Sequence, residues 1–398
     1  MADDFLYIDT PPALESLCAH LKGKPWLAVD TEFMREKTYY PELCLVQVAD
    51  NETVACVDPL ALPSLVPLLE VLLDERTVKV LHAARQDLEI FFHLTGKVPS
   101  PVFDTQVAAR FLGLADQAGY GAVVQALLGI SLDKSHARTD WARRPLTERQ
   151  VTYALSDVTH LRPTYEKLMR RIAKTGRASW VDEEMAVLTN PATYRQDPRE
   201  AWRRLKVRSE KPRLLAVLRE VAAWREEEAQ RRNLPRSRII KDETVVEIAA
   251  HAPTTIEDLG HSRGVSRGQL EGRQGAAILA AVRAGLAVPE AECPKPDPRP
   301  DLPGGLAPIV ELLRVLLKTK CEAHEVAQKL VASAADLDLI AASDDAAVPA
   351  MTGWRRELFG DDALALKRGR IALSVAGKRV KIVTLEPVLT PSRAASAE

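Results

Sequence analysis

The residues of this chain that can do chemistry are carboxylates, and two of them stand at the end of a short apolar run. Trp26 to Met34 reads WLAVDTEFM. Leu27, Ala28 and Val29 lead straight into Asp30, Thr31 and Glu32, which predicts a buried strand delivering side chains at its own end. The two-residue period of a strand sets Asp30 and Glu32 on one face and Thr31 on the other. Adjacent carboxylates repel unless a cation lies between them, and hard oxygen ligands suit Mg²⁺ or Mn²⁺. Taken alone, the pair also reads as solvated acids capping a strand. Further acids follow. Asp87 comes after the run Val78 to His82 and opens a helix, where the partial positive charge of the helix end favours an anion. Tyr153 and Asp157 stand at i and i+4, on one face of a helix. Each has an ordinary reading too: a helix-terminal acid, a half-buried aromatic, a surface residue.

The elements that must position these groups can be read in order. Phe5 to Ile8 is a strand, followed by a helix with Thr10 as N-cap and Pro11 and Pro12 in its first turn. Leu43 to Ala49 and Thr53 to Val57 are strands of a hairpin turned by Asp50-Asn51-Glu52. A helix covers Ser64 to Leu73, and another runs from Gln86 to Leu94 and closes at Gly96. Val102 to Asp104 is short and extended, before helices at Thr105 to Leu112 and Gly119 to Gly129. Thr147 and Gln150 form a capping box that starts the helix bearing Tyr153 and Asp157, and Pro163 is expected to kink or restart it. A hairpin followed by strands alternating with helices predicts a mixed α/β sheet with helices on both faces. Ligands on such sheets bind beyond strand ends, where Asp30 and Glu32 would sit.

Bulk properties bound the rest. The chain has 398 residues, 46% hydrophobic and 27% charged, with a formal net charge of −1. That length allows two or three domains. Five scattered cysteines without a CxxC pair argue against a zinc site and fit a reducing, cytoplasmic setting. No signal peptide is visible, and no apolar run approaches the roughly 18 residues needed to span a bilayer. Residues 190–200 look like a boundary. From Arg195 to Lys241, fifteen Lys/Arg face seven Asp/Glu, a local excess that fits either phosphate contacts or a solvated helix face. Helices at Arg213 to Arg231, Glu243 to Ala250, Thr255 to Leu259 and Arg267 to Leu286 predict a small all-α domain. Val288 to Gly305 holds six prolines and reads as a linker. Helices at Pro308 to Lys320, Glu322 to Ser333 and Ala335 to Ala342 follow. A terminal hairpin is expected over 371–385 around Gly377-Lys378, and then a disordered tail.

The order and spacing of the acids resemble the DnaQ-like 3′→5′ exonucleases, in the subgroup with tyrosine in the third motif. Asp30-Thr31-Glu32 matches the first motif, His82 through Asp87-Leu88 the second, and Tyr153-Ala154-Leu155-Ser156-Asp157 the third. The segment Arg263-Gly264-Val265-Ser266-Arg267, then Gln274-Gly275, is similar to HRDC domains, which are helical nucleic-acid-binding modules. The resemblance implies a ribonuclease H-like exonuclease domain over 1–190, an HRDC domain over 200–286, a Pro-rich linker over 287–304, a second HRDC-like domain over 305–386, and a disordered tail over 387–398.

The same resemblance implies a catalytic set of Asp30, Glu32, Asp87, Tyr153 and Asp157, with the four carboxylates holding two cations, Mg²⁺ or Mn²⁺. Asp30 would bridge both ions. Glu32 and Asp157 would hold the one that activates water, Asp87 would support the other, and Tyr153 would orient the water. A phenol, with an ordinary pKa of about 10, is a poor general base without help from the metal. Phe33, His82 and Gln106 are candidate substrate contacts, with Phe33 either stacking on a terminal base or packing in the core. Asp104 reads as a helix cap and Trp141 as a packing anchor. The expected substrate is RNA with a free 3′ end, tRNA precursors in particular, cut to 5′-mononucleotides by a monomeric protein. The rival readings are a DNA exonuclease and a non-catalytic RNA-binding adaptor.

Overall fold

The computed structural model describes residues 5–114, 118–132, 139–207, 209–266, 268, 272–295 and 303–385. Residues 296–302 of the predicted linker, and the whole of the predicted tail, lie outside the described residues; the linker's first part is described and carries a 3-10 turn at Glu290–Glu292. Six strands, β1 (Leu6–Ile8), β2 (Trp26–Met34), β3 (Glu42–Ala49), β4 (Val54–Val57), β5 (Val78–Leu81) and β6 (Val102–Asp104), form one mixed sheet in the order β1-β4-β3-β2-β5-β6. β3 runs antiparallel to both β2 and β4, while β1 runs parallel to β4 and β5 parallel to β2. The helices used below are α1 (Pro11–Leu21), α2 (Val66–Leu72), α3 (Arg85–Thr95), α4 (Thr105–Arg110), α5 (Tyr120–Leu128), α6 (Glu148–Thr175), α7 (Ala178–Thr189) and α8 (Pro212–Arg232).

The sheet is covered on two sides, as the alternation of elements predicts. On one side Leu27, Val29, Val46 and Val48 meet Leu14, Leu17 and Leu21 of α1, Leu68 and Leu72 of α2, and Leu88 and Phe91 of α3. Each such buried side chain contributes on the order of 1.5–3 kcal/mol. On the other side Leu45 and Cys56 meet Trp141 and, from α6, Val151 and Ala154. Thr10 sits at the N-cap position of α1, but its hydroxyl makes no capping bond. Pro163 does not restart a helix, since α6 runs through it. Buried positions continue at helical spacing on both sides of the proline (Val158, Leu161, Leu168, Ile172), and packing of that stripe outweighs one missing backbone bond.

The chain groups into two compact units. The first comprises Met1–Phe103, Leu132–Arg162 and Leu188–Arg299; the second comprises Asp104–Ser131, Pro163–Val187 and Pro300–Glu398. The second unit thus takes two pieces from within the stretch that the sequence reads as one exonuclease domain. Beyond the sheet, the first unit holds α8 and helices at Asp242–His251, Ile256–Gly260 and Arg273–Ala287, around Val217, Leu218, Val221, Val245, Ile248, Ile278 and Val282. Gly285 lies so close to the Val217 backbone that a Cβ there would meet it at 2.5 Å, so only glycine lets these helices approach.

The basic stretch from 195 to 241 is largely engaged internally. Arg199, Arg203, Arg204, Arg219, Arg225, Arg231, Arg232 and Arg236 all pair with carboxylates. The buried Glu226 is the focus. Arg236 grips it, and the Tyr39 hydroxyl, from the loop after β2, donates to it.

In the second unit Trp180 of α7 stacks on Trp354 at 5.1 Å. The helix predicted over Glu322 to Ser333 is broken. Ala307–Ala323 ends, Glu325 takes φ 51, and Gln328–Val331 follows. The Val326 N–H returns to the Cys321 carbonyl at 3.0 Å, which closes the helix end with a left-handed residue. The expected hairpin forms from β7 (Ile371–Ala376) and β8 (Arg379–Thr384).

Candidate active site

Strand period puts Ala28, Asp30 and Glu32 on the sheet face covered by α6. Asp157 projects from α6, one turn beyond Tyr153. One carboxylate oxygen each from Asp30, Glu32 and Asp157 lie within 4.8 Å of one another. A bulge shapes this end of β2: Glu32 is opposite Leu45 and Phe33 opposite Leu43, which leaves Cys44 as the extra residue. Bulges bend a strand and re-aim its side chains, here beside the carboxylates.

Asp87 arrives from the other side of the sheet. After β5, Ala83 adopts φ 55, a left-handed turn that a non-glycine residue seldom takes. It sends the chain into α3 with Asp87 in the first turn. There the buried hydroxyl of Thr31 donates to Asp87 Oδ1. The sequence placed Thr31 on the face away from Asp30, and it does lie there, but its bond to Asp87 was not foreseen. The clue was available: a helix-borne acid approaching that face would need a donor.

The four carboxylates act on one another. Burial first, then the charges of Asp157, Asp87 and Glu32, push the Asp30 carboxyl well above the ordinary range. Burial and the charges of Asp157 and Asp87 push Glu32 up to about 9. Burial pushes Asp157 up to about 7. Oxygen-only donors, crowded and mutually repelling, form the donor set that suits a hard divalent cation. The residues present therefore fit such an ion.

The remaining sequence candidates are placed as follows. Tyr153 packs with Leu155 against the cluster containing Trp141, and the Trp141 and Tyr153 rings are 6.1 Å apart. Trp141 is buried, as a packing anchor should be. Phe33 is half-buried against the α1–α3 core. His82 is half-buried just past β5. Gln106 donates its amide to the Ala118 carbonyl at 3.2 Å. Asp104 caps α4, accepting from the backbone N–H groups of Gln106 and Val107.

The sequence profile described as 3′-5′ exonuclease matches residues 5–173, and that of the HRDC domain matches 215–282. Ribonuclease D of Granulibacter bethesdensis is 51% identical, over 93% of this chain and 94% of its own. The chain belongs to the ribonuclease D family. Ribonuclease D of Gluconacetobacter diazotrophicus is 49% identical over 95% of this chain and 96% of its own. The crystal structure of Escherichia coli RNase D superposes with a TM-score of 0.80 at 32% identity, covering 92% of this chain and 99% of that one. Membership makes this protein a 3′→5′ exoribonuclease, with a divalent-metal-dependent exonuclease domain and RNA bearing a 3′ end as substrate. No helix among the described residues is long and apolar enough to cross a membrane.

Proposed function

We propose that Asp30, Glu32, Asp87 and Asp157 hold two divalent cations, Mg²⁺ or Mn²⁺, and that this centre removes 5′-mononucleotides from the 3′ end of RNA. The observation that carries the reading is the convergence of Asp30, Glu32 and Asp157 within 4.8 Å, with Asp87 fastened to Thr31 beside them. Two cations supply charge stabilisation at both the attacking and the leaving oxygen of the phosphodiester. Asp30, whose carboxyl is raised by the charges of Asp157, Asp87 and Glu32 as well as by burial, would offer oxygens to both ions. Glu32 and Asp157 would ligate on the water side, and Asp87 would support the second ion. Tyr153 is assigned to orienting the attacking water by hydrogen bonding, since a phenol, with an ordinary pKa of about 10, is a poor general base. Phe33, His82 and Gln106 are assigned to contacts with the terminal nucleotides.

The substrate class we favour is structured RNA, tRNA precursors above all. Five free cysteines, all buried, suit a reducing cytoplasm. The domain scheme we favour is an exonuclease domain over 1–190, HRDC over 200–286, a linker over 287–304, a second HRDC-like domain over 305–386 and a tail over 387–398, in a monomer. The test uses the full chain with Mg²⁺ or Mn²⁺, a labelled tRNA precursor carrying a 3′ extension, and an unstructured RNA of equal length. Mononucleotide release that stops in Asp30→Asn is expected. Release that survives Asp30→Asn rejects the site, and preference for the unstructured RNA rejects the substrate.

A further inference from the structure

Gln47 is fully buried, and neither its amide nitrogen nor its amide oxygen has a hydrogen-bond partner among the described residues. Leaving such a group unpaired costs on the order of 1–3 kcal/mol, and folded chains rarely tolerate it. The residue stands in a strand that is otherwise apolar from Leu43 to Ala49. Leucine or methionine would fill its place with no polar cost.

Its position gives the amide a use. Gln47 is opposite Asp30 on β2 and opposite Cys56 on β4. Directly opposed residues of an antiparallel ladder point to the same face, their Cβ atoms about 4.5–5.5 Å apart. Asp30, Gln47 and Cys56 therefore form a row across the sheet on the face that α6 covers. One end of the row is apolar, with Cys56 among Leu45, Trp141 and Ala154. The other end is the carboxylate group of Asp30, Glu32 and Asp157. The only strong acceptor that flanks Gln47 in this row is the carboxylate of Asp30.

We propose that Gln47 is a positioning residue of the metal centre: with cation bound, its Nε2–H donates to the Asp30 carboxylate and fixes how that carboxylate offers its oxygens. This rests on the four-carboxylate reading above. A carboxylate has about four lone-pair sites, so Asp30 can accept from Gln47 and still ligate. Donors to metal ligands of this kind typically change metal affinity 10–100-fold.

The test is Mn²⁺ binding to full-length Gln47→Met and Gln47→Leu by titration calorimetry, alongside the melting temperature without metal. The expected result is a Kd for Mn²⁺ about tenfold weaker, with metal-free melting unchanged or raised because an unpaired amide is gone. Wild-type affinity in the variants overturns the proposal and leaves Gln47 a mere orphan. Should neither variant fold, the side-chain amide resonances of Gln47 in the wild-type protein decide. A shift on Mg²⁺ addition supports the proposal, and no shift overturns it. Asp30→Asn separates the two levels of inference. If it still binds Mn²⁺, the site reading fails; if it does not, while the Gln47 variants bind normally, only the role of Gln47 fails.

Discussion

Replacing Arg144 with methionine should destabilise the protein and slow its chemistry by one and the same route. Arg144 lies in the link that leads to α6. Its guanidinium donates to both oxygens of Asp58, at 2.6 and 2.8 Å, and to the carbonyls of Cys44 at 2.6 Å and Trp141 at 2.7 Å. The Asp58 side chain is only 3% exposed, and that of Arg144 is 24% exposed. Without the arginine, Asp58 keeps the Tyr7 hydroxyl at 2.7 Å and the Leu60 N–H at 3.0 Å, but no positive charge. Breaking a buried pair from one side costs about 3–5 kcal/mol, and the partial exposure of Arg144 argues for the lower end. The Arg144 guanidinium and Tyr7 hold the Asp58 carboxyl below its usual range despite burial. Its stabilisation is thus full above the unfolded pKa of about 3.9 and is lost as pH falls through the depressed folded value. Urea unfolding followed by tryptophan fluorescence should show a gap between wild type and variant that is largest near neutrality and narrows towards pH 3. Adding Asp58→Asn to the variant should recover much of the loss. Freed of Arg144, the Trp141 backbone no longer holds its ring against Tyr153, and misplacement by about 1 Å can cost about a hundredfold in rate. A loss below about 1 kcal/mol that does not change with pH would mean that water screens the pair, and the reasoning would fail.

Other expectations follow from the carboxylates and from the loop after β2. Asp157→Asn should lower RNA turnover by at least about a hundredfold, the upper range for a group one step removed from a metal, while raising the melting temperature without metal because a repelling charge has gone. Glu32, pushed up to about 9, and Asp157, pushed up to about 7, bind protons more tightly folded than unfolded. Their stabilising contribution is therefore complete below the unfolded pKa values near 4 and is lost as pH rises through the folded ones. Metal-free protein should melt progressively lower from pH 5 to 9, and saturating Mg²⁺ should flatten that slope; parallel curves would contradict the coupling. Tyr39→Phe removes the hydroxyl that donates to the buried Glu226 and accepts from Gln230 and Arg236. It should cost about 1–3 kcal/mol in denaturant, with kcat unchanged on a trinucleotide.

What the sequence made legible was whatever depends on the period of one element. Asp30 and Glu32 share a face because a strand has period two, and Tyr153 and Asp157 share one because a helix has i, i+4 neighbours. Their order along the chain then carried the family. What stayed hidden depends on two segments meeting. The bulge at Cys44 belongs to the pairing of β2 with β3, and neither strand alone signals it. The excess of arginines after 195 fits either phosphate contacts or a solvated face, and the local sequence does not show their internal partners, because the fold brings Glu226 together with Arg204, Arg236 and Tyr39. Gln47 gains its meaning only from the register, which sets it opposite Asp30.

The location of the site follows from the same strand. Leu27, Val29 and Thr31 face the α1–α3 side of the sheet, whereas Ala28, Asp30 and Glu32 face α6. In the middle of the sheet these two sets are separated by the hydrogen-bonded ladder, and charges on opposite faces could not share an ion. At the end of β2 the ladder with β5 has already stopped, since its last paired residue is Ala28. Beyond that point the register with β5 does not continue, and the first polar residue of the apolar face, Thr31, donates to the acid that α3 supplies. The carboxylate of Asp87 thereby comes close enough to raise the pKa values of Asp30 and Glu32 on the opposite face. The carboxylates that converge from the two faces do so just past Ala28, where the register of β2 with β5 ends.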